Sequence, residues 1–404
     1  MVDTFPRWSE RFIARELSEL LRRGVDFDIF CLKAGRLPTA QDSDWDGLIA
    51  RRIVLPSICS ARTMASALAD MPNLRAKLYK KVPVEISREL GLVDLLKLAR
   101  AHALEEALIR GGYDHVHAHF AGLTSSVAWL ASKAARLPLS ISVHARDLFV
   151  EPQLLAQKLA DSARVFTCHE YARKHLSEKM LGQAQEQGQS QADLQKKIVL
   201  MRHGVPLEQF PYAPAQALNQ KGKTVHLLAA GRFVPKKGFE DLIEAMQQPA
   251  LAGRKIVLTL LGEGPGFKAL RARIDRPNKR RIVFREPEGG QELRRIFEHA
   301  SLFVAPYRAA SDGDVDGVPN VVLEAFALGL PVIGTSAGGL GEVLREDTGT
   351  VVPSNNPVAL ADAIAAYLDS AKSALAKTRA ARKLVERDYN IRKNIGPLIE
   401  MLGK

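Results

Sequence analysis

Short apolar segments alternate with helical patterns along almost the whole of this 404-residue chain. In the first half, strand-like segments lie at 25–32, 115–120, 137–145, 163–168 and 197–205, and apolar residues at helical spacing lie between several of them. Apolar strands that alternate with helices form parallel sheets covered on both faces. The sequence therefore predicts an α/β fold.

A second series of strand-like segments follows a stretch that contains three prolines, at 205–223. Six strands of this kind complete a Rossmann-like doubly wound domain. They lie at 224–231, 255–262, 281–286, 301–307, 330–336 and 350–354. We predict two Rossmann-like domains that face a cleft. Their bounds are 1–208 for the N-terminal domain, 209–222 for the linker, 223–386 for the C-terminal domain and 387–404 for a helix that crosses back to the first domain.

The beginning of the chain fits an α/β domain less well. A first buried strand usually has about five or six residues, but only Met1 and Val2 precede the polar segment 3–10. We therefore expect a truncated first strand or a start further upstream. The same segment has neither the basic nor the apolar region of a signal peptide.

Composition indicates a globular protein of the cytoplasm. Hydrophobic residues make up 46% and charged residues 25% of the chain, close to ordinary usage. No apolar run approaches the roughly 20 residues that cross a bilayer. The three cysteines, Cys31, Cys59 and Cys168, have no spacing suited to zinc or to a disulfide framework.

The net charge of +12 favours an anionic partner. Basic residues cluster at 75–81 and 271–285, without the interleaved aromatic residues that stack on bases. Nucleic acid is therefore disfavoured. A solvated charged face is the first interpretation of each cluster, and contact with an anionic membrane surface is the second.

The segment 311–324, SDGDVDGVPNVVLE, permits two interpretations. Asp312, Asp314 and Asp316 match the start of a calcium-binding loop, but its twelfth position is Leu323, and Glu324 comes one residue too late. The other interpretation is a sugar-nucleotide site, in which Asp316 and Glu324 hold sugar hydroxyl groups. In that case Asp312 and Asp314 are solvated loop carboxylates.

Ligands of open parallel sheets bind beyond the carboxyl ends of the strands. One such loop places Arg232 and Lys237 before a helix, a pairing suited to a diphosphate. In another, Pro319 is predicted as the first helical residue and Gly329 as the end of the helix. The free N–H groups at the start of that helix can bind a phosphate. The glycine-rich turns at 262–266 and 336–342 lack the spacing of a dinucleotide-binding motif.

The segment 316–344 resembles the paired-acid motif of the retaining GT-B-fold glycosyltransferases, the group of glycogen synthase and sucrose synthase. The resemblance implies that Glu324 holds the nucleotide ribose and that Asp316 faces the donor sugar. The family normally has Glu at the first position, and Asp is one methylene shorter. The donor-binding residues that the resemblance implies are Gly317, Val318, Pro319, Asn320, Val321, Val322, Glu324 and Glu263.

The same resemblance assigns catalytic roles to His144, Arg232, Lys237 and Asp316. His144 would approach the donor sugar from the N-terminal domain, while Arg232 and Lys237 neutralise the leaving diphosphate. The segment 5–13 resembles the acceptor-side loop of the bacterial exopolysaccharide branch, with enzymes of the colanic-acid type. Acceptor-side residues are Arg7, Ser9, Glu10 and His119; for His119 a packing role remains equally open.

The implied reaction is transfer of a hexosyl unit from a nucleoside diphosphate sugar to a saccharide or lipid-linked saccharide, with retention and without an essential metal. The enzyme would work in the cytoplasm, at the inner face of the plasma membrane. A nucleotide-sugar epimerase or phosphorylase of the same fold is one alternative. A non-catalytic calcium- or anion-binding protein is another, and a nucleic-acid binder is a third.

Overall fold

The computed structural model describes residues 1–36, 45, 47–55, 92–144, 147–148, 155–186, 191–214, 224–287 and 289–402. The basic segment 75–81, Cys59 and most of the predicted linker lie outside these residues. The described residues form two α/β domains, each built on parallel strands, as the sequence predicts.

The described residues of the N-terminal domain form seven strands in two adjoining groups. One group has the order β1–β2–β3 and the other β4–β5–β6–β7, and every pairing is parallel. The backbone of Met1 joins the groups, because its amino group donates to the His117 carbonyl (2.7 Å) and its carbonyl accepts from the His119 N–H (3.0 Å). The strands are β1 Val2–Phe5, β2 Ile29–Ala34, β3 Arg52–Val54, β4 Val116–His119, β5 Leu139–Val143, β6 Arg164–Thr167 and β7 Ile198–Leu200.

The first strand, which the sequence suggested to be truncated, is a four-residue strand in register with β2. Val2 and Phe5 are 1% and 2% exposed, whereas Asp3 and Thr4 between them are half-buried. The polar residues therefore belong to the strand. Strand β3 carries no strong apolar signal and was not predicted; its last two residues are exposed.

The C-terminal domain has one six-stranded parallel sheet in the order β10–β9–β8–β11–β12–β13. All six predicted strands are present, and the order is that of a Rossmann fold. The strands are β8 Val225–Ala230, β9 Ile256–Leu261, β10 Ile282–Arg285, β11 Leu302–Ala305, β12 Val332–Gly334 and β13 Thr350–Val351.

Helices cover both sheets. Among the described residues of the N-terminal domain they are α1 Arg11–Arg22, α2 Leu92–Gly111, α3 Leu123–Ala135, α4 Leu155–Asp161, α5 Glu170–Glu186 and α6 Gln191–Lys197. In the C-terminal part they are α7 Phe239–Ala245, α8 Phe267–Ala272, α9 Gly290–His299, α10 Asn320–Leu328, α11 Pro357–Asp369, α12 Lys372–Asp388, α13 Ile391–Asn394 and α14 Gly396–Leu402. Within the described part of the chain, no helix combines the length and the apolar character that a bilayer crossing requires.

The end of the chain crosses back to the N-terminal domain, as the predicted architecture requires. Ile395 and Leu398 pack with Leu20 of α1, Phe166 of β6 and Met201 in one buried cluster. Burial of apolar side chains contributes about 25 cal/mol per Å² of surface removed from water. This cluster therefore stabilises the attachment of the two domains beside the cleft.

Candidate functional site

Two loops at the carboxyl edge of the C-terminal sheet pack backbone against backbone. Gly262, after β9, has φ +158°, and a Cβ atom there would collide with the carbonyl oxygen of Gly231 after β8. The Phe233 N–H donates to the Glu263 carbonyl at 2.7 Å. Only glycine permits this approach, which leaves the side chains of Arg232 and Glu263 exposed at the edge.

A network of two lysines and two aspartates lies between the loops that follow β8 and β11. Lys237 Nζ is 2.6 Å from Asp316 Oδ2. Lys236 Nζ is 2.8 Å from Asp314 Oδ1 and 3.1 Å from Asp316 Oδ1. Burial alone would raise the pKa of Asp316, but Lys237 and Lys236 lower it below its ordinary value. The Asp316 carboxylate is therefore ionised and holds both cations.

The interpretation of Asp314 as a solvated loop carboxylate is wrong. Asp314 is 8% exposed, and its carboxylate accepts from Lys236. Asp312 is exposed, and its Oδ1 accepts from the Asp314 N–H at 3.0 Å, so it shapes the turn. Because Asp314 and Asp316 point to lysines, the loop does not have the converging carboxylates of a calcium site. Lys236 was not singled out in the sequence, although its position beside Lys237 was a signal.

The helix after this loop begins one residue later than predicted. Pro319 has an extended backbone (ψ 124°), and α10 starts at Asn320. The first helical hydrogen bond runs from the Val322 N–H to the Pro319 carbonyl (3.0 Å). The N–H groups of Asn320 and Val321 therefore have no carbonyl partner within the helix and can receive an anion. As predicted, Gly329 ends the helix, at φ +82°.

Two valines of the predicted donor segment contribute to the core. Val318 is 7% exposed and Val322 is 0% exposed, and both belong to the main apolar cluster of the C-terminal domain. Their backbone fixes the start of α10, while their side chains face inward. The segment can thus contribute amide groups to a ligand without contributing these side chains.

Glu324, in the second turn of α10, contacts the other domain. Its Oε1 accepts from Arg15 of α1 at 2.6 Å, and both side chains are almost fully buried. The Arg15 guanidinium also lies 5.3 Å from the centre of the Phe210 ring. The second oxygen of Glu324 has no partner among the described residues. Arg15 was not predicted as a site residue from the sequence. Its ion pair with Glu324, one of the two predicted acids, joins the two domains.

A second contact between the domains lies beside Gly317. A Cβ atom at Gly317 would be 2.6 Å from Nε2 of His169, which precedes α5. Glu342 accepts from the N–H groups of Glu170 and Tyr171 at 3.1 and 2.7 Å. A carboxylate at a helix start is stabilised by unpaired N–H groups and by the helix dipole. The donor loop and the N-terminal domain are therefore in direct contact.

His144 directly follows β5 and is 8% exposed. Its backbone N–H donates to Asp147 Oδ2 at 3.0 Å, and its ring lies 5.0 Å from that of Phe12 and 4.4 Å from that of Phe120. The Nε2 atom has no hydrogen-bond partner among the described residues. The rest of the predicted loop, at 145–146 and 149, lies outside them.

His144 belongs to a cluster with Cys168 and His203, in which one potential ligand atom of each lies within 4.8 Å of the others. His203 Nδ1 is 2.9 Å from Glu16 Oε1. Burial opposes a charged His203, but Cys168 and Glu16 raise its pKa to about 10. Burial also opposes ionisation of Cys168, yet His203 and His169 hold the pKa of its thiol well below the usual range. The cluster is strongly polar in an apolar surrounding.

The histidines of β4 lie inside the domain. His117 contacts the hydroxyl groups of Ser140 and Ser142 at 2.7 and 3.1 Å. His119 is 2% exposed, and its ring lies 6.1 Å from that of His144 in a stacked arrangement. Burial lowers the pKa of both imidazoles well below the ordinary value. The geometry therefore gives His119 a packing position behind His144.

The other predicted acceptor-side residues follow β1. Arg7 and Ser9 are exposed, and Arg7 Nη1 is 3.0 Å from Glu10 Oε1. Burial raises the pKa of Glu10, against the opposing effects of Arg7, His144 and Arg232. Glu10 is thus close enough to charged groups of both domains for them to change its pKa.

Comparisons with known proteins agree with this arrangement. The family model for the glycosyl transferase 4-like domain matches residues 9–188, and the model for glycosyl transferases group 1 matches residues 224–370. WcaL of Escherichia coli, whose name describes a glycosyltransferase of colanic acid biosynthesis, is 31% identical to this chain over 215 residues. These residues are 51% of this chain and 52% of WcaL. The amylovoran biosynthesis glycosyltransferase AmsK of Erwinia amylovora is 29% identical over 199 residues, 48% of each chain. The chain thus spans about half the length of these curated relatives.

Solved structures with the same fold cover the whole chain. HepE of Anabaena, crystallised with UDP and glucose, superimposes with a TM-score of 0.68 at 15% identity and covers 100% of this chain and 98% of HepE. Sucrose-phosphate synthase of Thermosynechococcus elongatus gives a TM-score of 0.66 at 18% identity, with coverage of 100% and 98%. At these identities the likeness establishes the fold.

Proposed function

The chain belongs to the group 1 glycosyl transferases of GT-B fold, and from this premise we propose that it transfers a hexosyl unit from a nucleoside diphosphate sugar. The acceptor is a hydroxyl group of a saccharide or of a lipid-linked saccharide. The names of WcaL and AmsK support a role in bacterial exopolysaccharide synthesis. The UDP and glucose of the HepE crystal support a nucleotide-sugar donor.

The observation that carries this proposal is the lysine–aspartate network beside the start of α10. Lys237 lies 2.6 Å from Asp316, and Asn320 begins the helix four residues later. A diphosphate at this edge would meet lysine ammonium groups and helix N–H groups together. A phosphate that binds here would compete with Asp316 for Lys237.

The demanding step is departure of the nucleoside diphosphate. Negative charge grows on the leaving oxygen as the glycosidic bond breaks, so fixed cations stabilise the transition state more than the bound donor. Lys237 is positioned by the Tyr307 ring, whose centre is 4.1 Å from its Nζ. The exposed Arg232 supplies the second cation. This step requires no metal.

The two acids hold the donor through its hydroxyl groups. Asp316 faces the sugar, and when phosphate binds Lys237 its carboxylate is released to accept from a sugar hydroxyl group. Glu324 accepts from the ribose through Oε2, while Oε1 keeps its bond to Arg15. A carboxylate accepts several hydrogen bonds at once, so Arg15 and the ribose can share Glu324.

The N-terminal domain supplies His144 and the acceptor-side loop with Arg7, Ser9 and Glu10. His144 is assigned to contact the donor sugar, and closure of the domains excludes water from the reaction. Transfer proceeds with retention at the anomeric carbon, as the family resemblance implies. The anomeric configuration of the product, measured by NMR, decides this point; an inverted product contradicts retention.

The first test is a thermal-shift panel of nucleoside diphosphates and their sugars. A ligand at 100 times its Kd adds about 2.7 kcal/mol to the free energy of unfolding. A new glycoside in the product then identifies a transferase. An epimerized nucleotide sugar, or a sugar phosphate, would identify the alternative activities of the same fold.

We also place the enzyme in the cytoplasm, as a peripheral protein at the inner face of the plasma membrane. The net charge of +12 and the exposed basic segment 271–285 support this assignment. Flotation with anionic vesicles at rising salt tests it, because electrostatic attachment weakens as salt increases. Absence of flotation at low salt contradicts it.

A further inference from the structure

Three residues at the carboxyl edge of the N-terminal sheet converge. His144 follows β5, Cys168 follows β6, and His203 lies three residues beyond β7. One potential ligand atom of each lies within 4.8 Å of the other two. We propose that these residues bind a divalent transition metal of the zinc class.

The distances suit this ion after a small adjustment. Zinc binds imidazole nitrogen at about 2.0–2.1 Å and thiolate sulfur at about 2.3 Å, so tetrahedral ligand atoms lie about 3.3–3.7 Å apart. Side-chain rotations that move the ligand atoms by about 1 Å bring the three to these separations. Imidazole and thiolate favour zinc or copper over magnesium and calcium. Each of the three residues is 8% exposed, so a bound ion would be largely shielded from solvent.

The contact between His203 and Glu16 is an independent indication. Glu16 Oε1 lies 2.9 Å from Nδ1 of His203, so Nε2 is the nitrogen that remains for the cluster. A histidine that binds a metal almost always donates its other N–H to a carboxylate, a carbonyl or water, which fixes the tautomer. Glu16 comes from α1, a different element from the three ligands, and completes this arrangement.

The charges of the cluster also favour a cation. Glu16 is 2% exposed, and its Oε2 has no partner among the described residues. A cation held by the three residues would lie beside this buried oxygen, and a buried polar atom without a partner is costly.

Three protein ligands leave a fourth position for water or another small ligand. The site shares His144 with the proposed function: one ring nitrogen binds the metal and the other remains for the donor side. Metal content, rather than glycosyl transfer, is therefore the readout. Failure of the metal inference and failure of the proposed transfer reaction give separate results.

The test uses the full chain without an affinity tag, stripped of metal with a chelator and kept reduced. We titrate it with Zn²⁺ alone and with Co²⁺ alone, and expect about one ion per chain. Bound Co²⁺ should give a thiolate-to-metal charge-transfer band in the near ultraviolet. Absence of this band in the wild-type chain would overturn the proposal and leave a proton shared between Cys168 and His203.

Variants locate the site. Cys168→Ala and His203→Ala should abolish the band, while Cys31→Ala, at another buried cysteine, should keep it. A band that survives Cys168→Ala and disappears with Cys59→Ala would overturn the assignment. Circular dichroism of the metal-free variants reports folding.

Glu16→Gln is a milder variant in case those at the ligands do not fold. It should keep the cobalt band and weaken zinc affinity about 10- to 100-fold in competition with a coloured chelator. Unchanged affinity in Glu16→Gln would contradict the proposed role of the His203–Glu16 contact and with it the site.

Discussion

The strands of the two domains follow a similar order, but the side chains at the carboxyl ends of the strands differ in chemistry. The C-terminal edge carries Lys236, Lys237 and Asp316 in a network of ion pairs. The N-terminal edge carries His144, Cys168 and His203 beside the aromatic ring of Phe12. The topology determines where a ligand can bind, whereas the side chains at the strand ends determine what binds there. Charged groups suit a diphosphate, and imidazole and thiolate suit a transition metal.

The largest effect is expected where the two domains meet. Arg15→Ala leaves Glu324 buried without its ion-pair partner at 2.6 Å, and removing one partner of a buried pair costs about 3–5 kcal/mol. Urea unfolding should show this loss for the two-domain protein. Arg110→Ala, on α2, is the control, because Arg110 forms an exposed pair with Glu106, and such pairs contribute about 0–1 kcal/mol. Equal losses in both variants would show that the contact between the domains contributes little.

Lys237→Ala should have the next largest effect, a loss of kcat that arises at the charged edge of the C-terminal sheet. Loss of a group that stabilises developing negative charge typically lowers kcat about 10²- to 10³-fold. Arg232→Ala should act in the same direction, and both should change KM less than kcat. Lys279→Ala, an exposed lysine of the same domain, is the control. A higher KM with unchanged kcat would mean that the two cations bind the ground state only.

Substitutions of the acids should separate their roles. Asp316→Ala and Glu324→Ala each remove hydrogen bonds to a charged acceptor, worth about 1.5–3 kcal/mol, and should lower kcat/KM roughly tenfold to a few hundredfold. Asp314→Ala should have a smaller effect, through Lys236. Asp312→Ala is the control, since Asp312 is exposed.

The same variants test the calcium interpretation of this loop. Transfer from a sugar nucleotide is measured with and without EDTA. Equal losses at all three aspartates, or loss of activity with chelator that added Ca²⁺ restores and Zn²⁺ does not, would contradict the sugar-nucleotide interpretation of the loop.

The smallest effect is the acid dependence of stability. Lys237 and Lys236 hold the pKa of Asp316 below its ordinary value, so its ionised form is favoured by folding. This stabilisation is complete above the unfolded pKa of about 3.9 and is lost as pH falls through the lower folded pKa. The difference in Tm between the wild type and Asp316→Asn should be constant above about pH 5 and shrink below about pH 4. Asp312→Asn should follow the wild type; a difference that grows in acid would reverse the assigned sign.

The C-terminal domain was predictable from sequence because its signals are local. Each of its six strands is an apolar run bounded by turn residues, and the strand order of a Rossmann fold then places their carboxyl ends together. Asp316 therefore lies near Lys237. The one-residue shift at Pro319 arises because proline fixes φ but not ψ, and ψ decides whether the residue is helical. Strand β3 was missed because it is short and half exposed.

Partners of the site residues were harder to predict. Glu324 and Arg15 are 309 positions apart, and no spacing rule connects them. The sequence around Asp314 is compatible with a solvated carboxylate, and only the fold shows that Lys236 lies beside it. Cys168 appeared isolated in the sequence, since zinc motifs are recognised from cysteines and histidines close to one another in the chain.

The sequence by itself determined the alternation of strands and helices, the two domains and the family, because hydrophobic periodicity and turn residues act over a few positions. Only the tertiary structure decided which side chains meet: Arg15 with Glu324 across the cleft, and His144 with Cys168 and His203 at one sheet edge. The physical reason is that strand ends lie about 4.8 Å apart in a sheet whatever their separation in the chain. Their contacts then depend on the packing of the whole domain.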